Sequence, residues 1–155
     1  MPFYNAESFL RQAIEGILDQ TYPHFELLIT DDASEDNSMQ IIRSFDDSRI
    51  KLNQNDTNLG YLKTCNALMS QANGEIITFQ DADDWSELNR LESIVNAFRE
   101  NEEVGVSLSH FRKVGLKGNL IEERKVDFDF SAFANDADYW EYFCGASTAI
   151  KKDVL

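Results

Sequence analysis

Basic residues, cysteines and long apolar runs are scarce in this sequence, and each scarcity excludes a class of protein. The chain has 14 Lys and Arg residues against 28 Asp and Glu residues, so its formal net charge is −14. Because binding to a phosphate backbone depends on Lys and Arg displacing counterions, this charge argues against a nucleic-acid-binding protein. One small phosphorylated ligand stays compatible with the charge, since a bound metal can lie between two negative partners.

The few cysteines and histidines show no metal or disulfide pattern. Cys65 and Cys144 lack paired spacing, and His24 and His110 are isolated, so neither a zinc site nor a disulfide framework is predicted. No apolar run approaches the ~18 residues that a membrane-spanning helix needs, and the first residues lack the pattern of a secretory signal. We therefore expect a cytoplasmic protein. Its 155 residues predict one domain, residues 1–155, with a core of its own.

Apolar periodicity predicts alternating helices and strands along the chain. The first residues are expected to lead directly into a helix at residues 7–20, capped by Asn5, with no strand before it. Further predicted elements are strands at residues 25–30, 50–53, 76–80 and 104–112, helices around residues 38–45, 62–72 and 87–98 (the last capped by Ser86), a hairpin strand at 120–125, a short helix at 138–143 and a strand at 146–150. This alternation predicts an α/β fold with a mostly parallel central sheet flanked by helices.

Acidic residues follow two of the predicted strands. The apolar run at residues 76–80 ends at Asp81, Asp83 and Asp84, and an earlier strand ends at Asp31 and Asp32. Ligands of α/β proteins bind beyond the carboxyl ends of strands, and neighbouring parallel strands would bring both clusters to one edge. Crowded carboxylates repel one another unless a cation or a donor network shares their charge, which favours a hard divalent metal. For Asp31 and Asp32, a solvated turn that caps a helix is an equal alternative.

Two other motifs can be compared with the Asp-Ala-Asp-Asp segment. An EF-hand loop requires a central Gly, and none follows Asp84 at the required position, so that motif is excluded. A haloacid-dehalogenase-like phosphatase also places Asp-x-Asp after a strand, with Asp81 as its nucleophile. Trp85 and the late position of the segment depart from that pattern, which leaves a phosphatase as the alternative enzyme. A non-catalytic metal-binding or nucleotide-binding module also stays open.

Several motifs, in order along the chain, resemble the family 2 glycosyltransferases of GT-A fold. The matching residues are Pro2-Phe3-Tyr4-Asn5-Ala6-Glu7, Gln20-Thr21-Tyr22, Phe25-Glu26-Leu27, Asp31-Asp32-Ala33-Ser34, Asn58-Leu59-Gly60, Asn66, Ala72-Asn73-Gly74-Glu75 and Asp81-Ala82-Asp83-Asp84. The resemblance is nearly continuous over residues 2–84 and weaker beyond. It implies a nucleotide-sugar-binding half at residues 1–100 and the start of an acceptor-side half at residues 101–155.

The resemblance also implies a ligand and roles for particular residues. The donor would be a nucleotide-diphosphate sugar, most often UDP-linked, and the cofactor Mn²⁺ or Mg²⁺ held by Asp83. Donor-binding roles would fall on Pro2 and Tyr4 at the nucleoside, Asp32 at the base, Asp81 at the ribose and Asp84 on the sugar side. The acceptor would be a saccharide or a glycolipid in polysaccharide synthesis. The sugar would be transferred by a single displacement that inverts the anomeric centre, and the enzyme would act at the inner face of a membrane.

The sequence departs from the family pattern in three places. Cys65 stands where the family has a basic residue before Asn66, which makes Lys63 a substitute for a phosphate contact. Family members carry an apolar strand before the equivalent of Pro2, and they place the catalytic base beyond the equivalent of Leu155. We therefore expect a GT-A-like fragment without its first strand and C-terminal part, and a homodimer or strand complementation at the truncated edge.

Overall fold

A computed structural model describes residues 1–125 and 147–154. The helices are α1 (Leu10–Leu18), α2 (Ser38–Ile42), α3 (Tyr61–Gln71) and α4 (Arg90–Glu100). The strands are β1 (Pro2–Phe3), β2 (Leu27–Asp31), β3 (Ile50–Gln54), β4 (Ile76–Thr78), β5 (Val106–Leu108), β6 (Phe111–Val114), β7 (Leu120–Arg124) and β8 (Thr148–Lys151), and a 3₁₀ turn follows at Lys152–Val154. The predicted helix at residues 138–143 lies outside the described residues.

The strands form three small sheets. β1, β2 and β3 are parallel in that order, which agrees with the predicted parallel sheet. β4, β8 and β5 form an antiparallel sheet in which β8 is central, and β6 pairs with β7 as a hairpin. β2 and β4, the two strands that precede the acidic clusters, therefore belong to different sheets. The expectation that the two clusters follow neighbouring parallel strands of one sheet is therefore wrong.

The main core lies between α1 and the parallel sheet. Leu10, Ala13, Ile14 and Ile17 recur at helical spacing, so α1 buries one face against Leu27 and Ile29 of β2. A second cluster joins Leu91, Ile94 and Phe98 of α4 to Ala149 of β8. The two clusters fix β2 and β4, and with them the loops that carry the acidic residues.

Several predicted boundaries are corrected by the structure. Helix α1 begins at Leu10 after Phe9, and Asn5 does not cap it, because its side-chain oxygen accepts a hydrogen bond from the Glu35 N–H at 2.9 Å. Pro2–Phe3 is a short strand that pairs with Thr30 and Asp31, so the expectation that no strand precedes the first helix is also wrong. Helix α4 begins after Asn89 rather than after Ser86.

The predicted strand at residues 104–112 is two strands. β5 pairs with β8, whereas β6 turns away and pairs with β7 through the turn that contains Gly118 at φ 78°. The pattern of residues 104–112 does not reveal such a change of partner, because strand pairing depends on contacts with distant parts of the chain. None of the helices within residues 1–125 and 147–154 has the length and hydrophobicity that a membrane span requires.

Candidate functional site

The turn after β2 is shaped by Asp31. This carboxylate is fully buried, and its Oδ1 accepts the Ser34 N–H at 2.9 Å. Ala33 between them has φ 64°, a left-handed conformation that non-glycine residues adopt at a cost of roughly 1–2 kcal/mol. Asp31 therefore has a structural role in the turn. It is buried rather than solvated and does not cap α2, so the alternative of a solvated, helix-capping turn does not describe it.

The turn after β1 lies against the turn after β2. Asn5 has φ 51°, its N–H donates to Ser34 Oγ at 2.9 Å, and the Ala6 N–H donates to Ser38 Oγ at 2.9 Å. The Glu7 N–H donates to Asp36 Oδ2 at 3.0 Å. These bonds join the segment that contains Tyr4 to the segment that contains Asp32.

Asp32 is buried at the centre of a donor network. Its Oδ1 accepts hydrogen bonds from Asn55 Nδ2 at 2.7 Å and from the Leu59 N–H at 2.9 Å, and its Oδ2 accepts the Gly60 N–H at 2.8 Å. Burial by itself would raise the pKa of Asp32, but these donors outweigh burial and hold the pKa below its ordinary value. Gly60 has φ 86°, which suits glycine. Asp32 therefore remains ionised and fixes the loop at residues 58–60.

The Asp-Ala-Asp-Asp segment follows β4 as a turn in which the Asp84 N–H donates to the Asp81 carbonyl oxygen at 3.3 Å. Asp81 Oδ1 accepts the Tyr61 hydroxyl at 3.0 Å, and burial together with the Asp81 charge raises the pKa of Tyr61. Burial and the charges of Asp81 and Asp83 raise the pKa of Asp84. Asp83 is exposed.

One cleft of about 490 Å³ brings the two acidic clusters together. Asp32, Asp81 and Asp83 line it with Pro2 and Tyr4. Asp84 and Lys63 are not among the lining residues. The convergence arises although β2 and β4 are in separate sheets, because the turn after β1 and the start of α3 bridge the two loops.

The side chains that line this cleft can supply only some of the ligands that a divalent cation needs. Among residues 1–125 and 147–154, no three His, Cys, Asp or Glu side chains are placed to hold one metal ion. The crowded carboxylates of these residues therefore do not form a metal site by themselves. Asp83 offers a single exposed carboxylate on the cleft, which suits a cation that takes its other ligands from phosphates and water. The donor set thus fits Mn²⁺ or Mg²⁺ accompanied by a diphosphate.

Tyr61 and Asn55 were not singled out by sequence reasoning. Tyr61 contacts Asp81, and Asn55 contacts Asp32, yet neither belongs to a charged cluster. Their positions beside the Asn58-Leu59-Gly60 motif are the signal that could have identified them.

Comparison of the whole chain with known proteins defines its class. The described residues have the GT-A fold of nucleotide-sugar-dependent glycosyltransferases. A crystal structure of TarS residues 1–349 from S. aureus superposes with TM-score 0.77 at 24% identity, and covers 99% of this chain and 46% of its own. Mannosyltransferase PcManGT from Pyrobaculum calidifontis, in complex with GDP-Man and Mn²⁺, gives TM-score 0.72 at 21% identity, with 99% and 44% covered.

The family model described as glycosyl transferase family 2 matches residues 1–155, and the chain belongs to this family. It is 36% identical over 134 residues to an uncharacterized glycosyltransferase of Haemophilus influenzae, which covers 83% of this chain and 53% of that protein. It is 40% identical over 132 residues to the Escherichia coli UDP-Glc:alpha-D-GlcNAc-diphosphoundecaprenol beta-1,3-glucosyltransferase WfgD, with 83% and 52% covered. The chain thus spans about half the length of these relatives. The match over the whole chain does not favour a phosphatase.

Proposed function

We propose that this chain is the donor-binding half of a glycosyltransferase that binds a nucleotide-diphosphate sugar, UDP-linked, in the cleft between the two acidic loops. The observation that carries the proposal is the convergence of Asp32, Asp81 and Asp83 with Pro2 and Tyr4 on one cleft. Support for the ligand comes from the structural relatives, since TarS was solved in complex with UDP and PcManGT in complex with GDP-Man and Mn²⁺.

Five residues that line the cleft have proposed tasks, and so has Asp84 beside it. Pro2 and Tyr4 contact the nucleoside, Asp32 the base and Asp81 the ribose, while Asp83 holds the cation and Asp84 adjoins the sugar. A divalent cation bound there would supply charge neutralisation for the diphosphate leaving group. Because Tyr61 donates to one oxygen of Asp81, the other oxygen remains able to accept a ribose hydroxyl.

The acceptor and the location are also proposals. A saccharide or a lipid-linked acceptor is supported by the printed activity of WfgD, whose acceptor is a diphosphoundecaprenol lipid. A lipid-linked acceptor favours a cytoplasmic enzyme that is peripheral at the inner face of the membrane. A single inverting displacement requires a general base at the acceptor hydroxyl.

Calorimetry with UDP tests the donor site. We expect the protein to bind UDP in the presence of Mn²⁺ and to bind it at least about tenfold more weakly in EDTA, because two negative partners need the cation between them. Equal affinity in both conditions would refute the role of the metal. Absence of UDP binding, together with hydrolysis of an aryl phosphate that Asp81→Asn abolishes, would support the phosphatase instead.

A groove between β2 and β4 is the surface where we expect association with another strand or chain. It has a volume of about 1060 Å³, and its apolar lining includes Leu27 of β2, Leu68 of α3, Ile77 of β4 and Ile94 of α4. Among the described residues β4 is an edge strand, with β8 on its other side. Such a groove matches an added strand, so the predicted homodimer or strand complementation would act here.

Sedimentation over a range of concentrations tests this assembly. We expect the apparent mass to rise with protein concentration, because association would cover the groove. A protein that stays a well-folded monomer at every concentration would contradict the prediction.

A further inference from the structure

The connection between β4 and α4 carries the Asp-Ala-Asp-Asp segment without regular secondary structure. Residues 79–89 lie between Thr78, the last residue of β4, and Arg90, the first of α4. Crowded carboxylates repel one another, so a connection of this kind needs bonds from elsewhere to keep one conformation. Side chains provide these bonds.

Gln80 supplies the central bonds. Its side chain is buried, with 6% of the residue exposed, and its Nε2 donates to the carbonyl oxygens of Asp81 at 3.2 Å and Asp84 at 2.8 Å. Its Oε1 accepts the Ser86 hydroxyl at 2.8 Å. The Gln80 side chain thus contacts Asp81, Asp84 and Ser86, which span residues 81–86.

Arg90 supports the same network from the start of α4. Its guanidinium donates to Thr78 Oγ1 at 2.8 Å and to the Phe79 carbonyl oxygen at 3.0 Å, and lies 3.4 Å from Gln80 Oε1. The positive charge of Arg90 also interacts with the carboxylate of Asp84. We call Gln80, Ser86 and Arg90 the loop network.

We propose that Gln80 is a positioning residue for the donor site, which fixes the backbone of the acidic segment so that Asp81 and Asp83 face the cleft before a ligand arrives. The proposal rests on the proposed function. Its physical reason is preorganisation: a site held by packed side chains loses less conformational entropy when a ligand binds. Gln80 contacts main-chain atoms of the acidic residues and leaves their carboxylates available.

A second buried glutamine provides a matched control. Gln20 is also 6% exposed, and its Nε2 donates to the carbonyl oxygens of Gly16 and Glu87, both at 2.8 Å, while its Oε1 accepts the Leu91 N–H at 2.9 Å. Gln20 makes three side-chain hydrogen bonds, against four for Gln80 when the bond from Arg90 is counted, and it joins α1 to the far end of the same connection. A purely structural role would make the two glutamines equivalent.

The experiment compares wild type with Gln80→Leu, Ser86→Ala and Gln20→Leu. Melting temperature, affinity for UDP with Mn²⁺ by calorimetry, and amide exchange of residues 81–86 are measured for each. We expect Gln80→Leu and Gln20→Leu to lower the melting temperature similarly. Gln80→Leu should weaken UDP binding about tenfold and accelerate exchange at Asp84, while Gln20→Leu should change affinity less than about twofold. For Ser86→Ala we expect a loss of UDP affinity and an increase in amide exchange that lie between those of Gln20→Leu and Gln80→Leu.

Several results would overturn the inference. Equal affinities for Gln80→Leu and Gln20→Leu would show that Gln80 has only a structural role. If Gln80→Leu does not fold, Ser86→Ala serves as the test. Unchanged UDP affinity and unchanged amide exchange in that variant would refute the positioning role of the loop network. If wild type binds no UDP, the proposed function fails separately; unchanged exchange at Asp84 in Gln80→Leu would then refute the positioning role, and faster exchange would support it.

Discussion

At the scale of single residues, Asp32 illustrates how a buried carboxylate stays charged. Taking a carboxylate out of water costs free energy, and three donors from residues 55–60 compensate for it. The same bonds fix the loop before α3, so the charge of Asp32 and the shape of the cleft depend on each other.

Asp32→Asn should therefore destabilise the fold by about 2 kcal/mol at pH 7, because an amide nitrogen would face donors in place of an oxygen. The pKa of folded Asp32 is below the ordinary value of 3.8. Its contribution is therefore complete above that pH and is lost as the pH falls through the folded pKa. Urea unfolding from pH 7 to pH 2.5 measures the effect. Asp56→Asn, at an exposed carboxylate of the adjacent loop, is the control, and equal losses in both variants would contradict this account.

Residue types alone predicted part of the site. Charge crowded after apolar strands singled out Asp31 and Asp32 as one cluster and Asp81, Asp83 and Asp84 as another, and the family resemblance assigned donor binding to Asp32. Residue types alone did not separate Asp31 from Asp32. The structure shows that Asp31 accepts the Ser34 N–H in its own turn and Gln54 Nε2 of β3 at 3.3 Å, whereas Asp32 fixes the loop before α3. Tyr61 was not predicted as a site residue, because no sequence pattern distinguishes a tyrosine that contacts the site from any other tyrosine at the start of a helix.

At the scale of elements, Glu26 ties three segments together. It lies just before β2, pairs with Lys51 of β3, and its Oε1 accepts the Asn73 N–H at 2.6 Å from the connection that leads to β4. Burial alone would raise the pKa of Glu26, yet the bonds from Lys51 and Asn73 lower it to about 2. Glu26 thereby fixes the approach of β4 to the parallel sheet.

Glu26→Gln should cost roughly 1–2 kcal/mol of stability at pH 7, because the charge-assisted bonds are lost. Since the folded pKa of about 2 is below the ordinary 4.5, the contribution of the ionised carboxylate is complete above about pH 4.5 and disappears as the pH falls towards 2. The stability difference between wild type and Glu26→Gln, measured by denaturant unfolding at several pH values, should shrink over that range. Glu100→Gln, at an exposed position of α4, is the control, and a difference that does not depend on pH would count against this role.

The existence of most elements followed from periodicity, whereas their boundaries did not. The face of α1 was predictable because Leu10, Ile14 and Ile17 are spaced for one side of a helix. Its first residue was not, since Asn5 bonds across to Glu35 instead of capping the helix. Tertiary bonds decide such ends, and a single sequence does not display them.

At the scale of the whole molecule, the α/β class followed from alternation and the GT-A fold from the ordered motifs. The arrangement of the sheets did not follow. β8 is separated from β4 in sequence by about half the chain and still pairs with it, and β2 and β4 belong to different sheets with the apolar groove between them. The acidic loops nevertheless meet, because α3 and the turn after β1 lie between them.

The central claim is that carboxylates from two separate loops form one site that binds a nucleoside diphosphate through a divalent cation. Diffraction at the manganese edge, from crystals grown with UDP and Mn²⁺, tests it most directly. We predict one anomalous peak within coordination distance of an Asp83 oxygen and of the UDP phosphates, with the base beside Asp32. UDP bound away from this cleft, or manganese without contact to Asp83, would contradict the account.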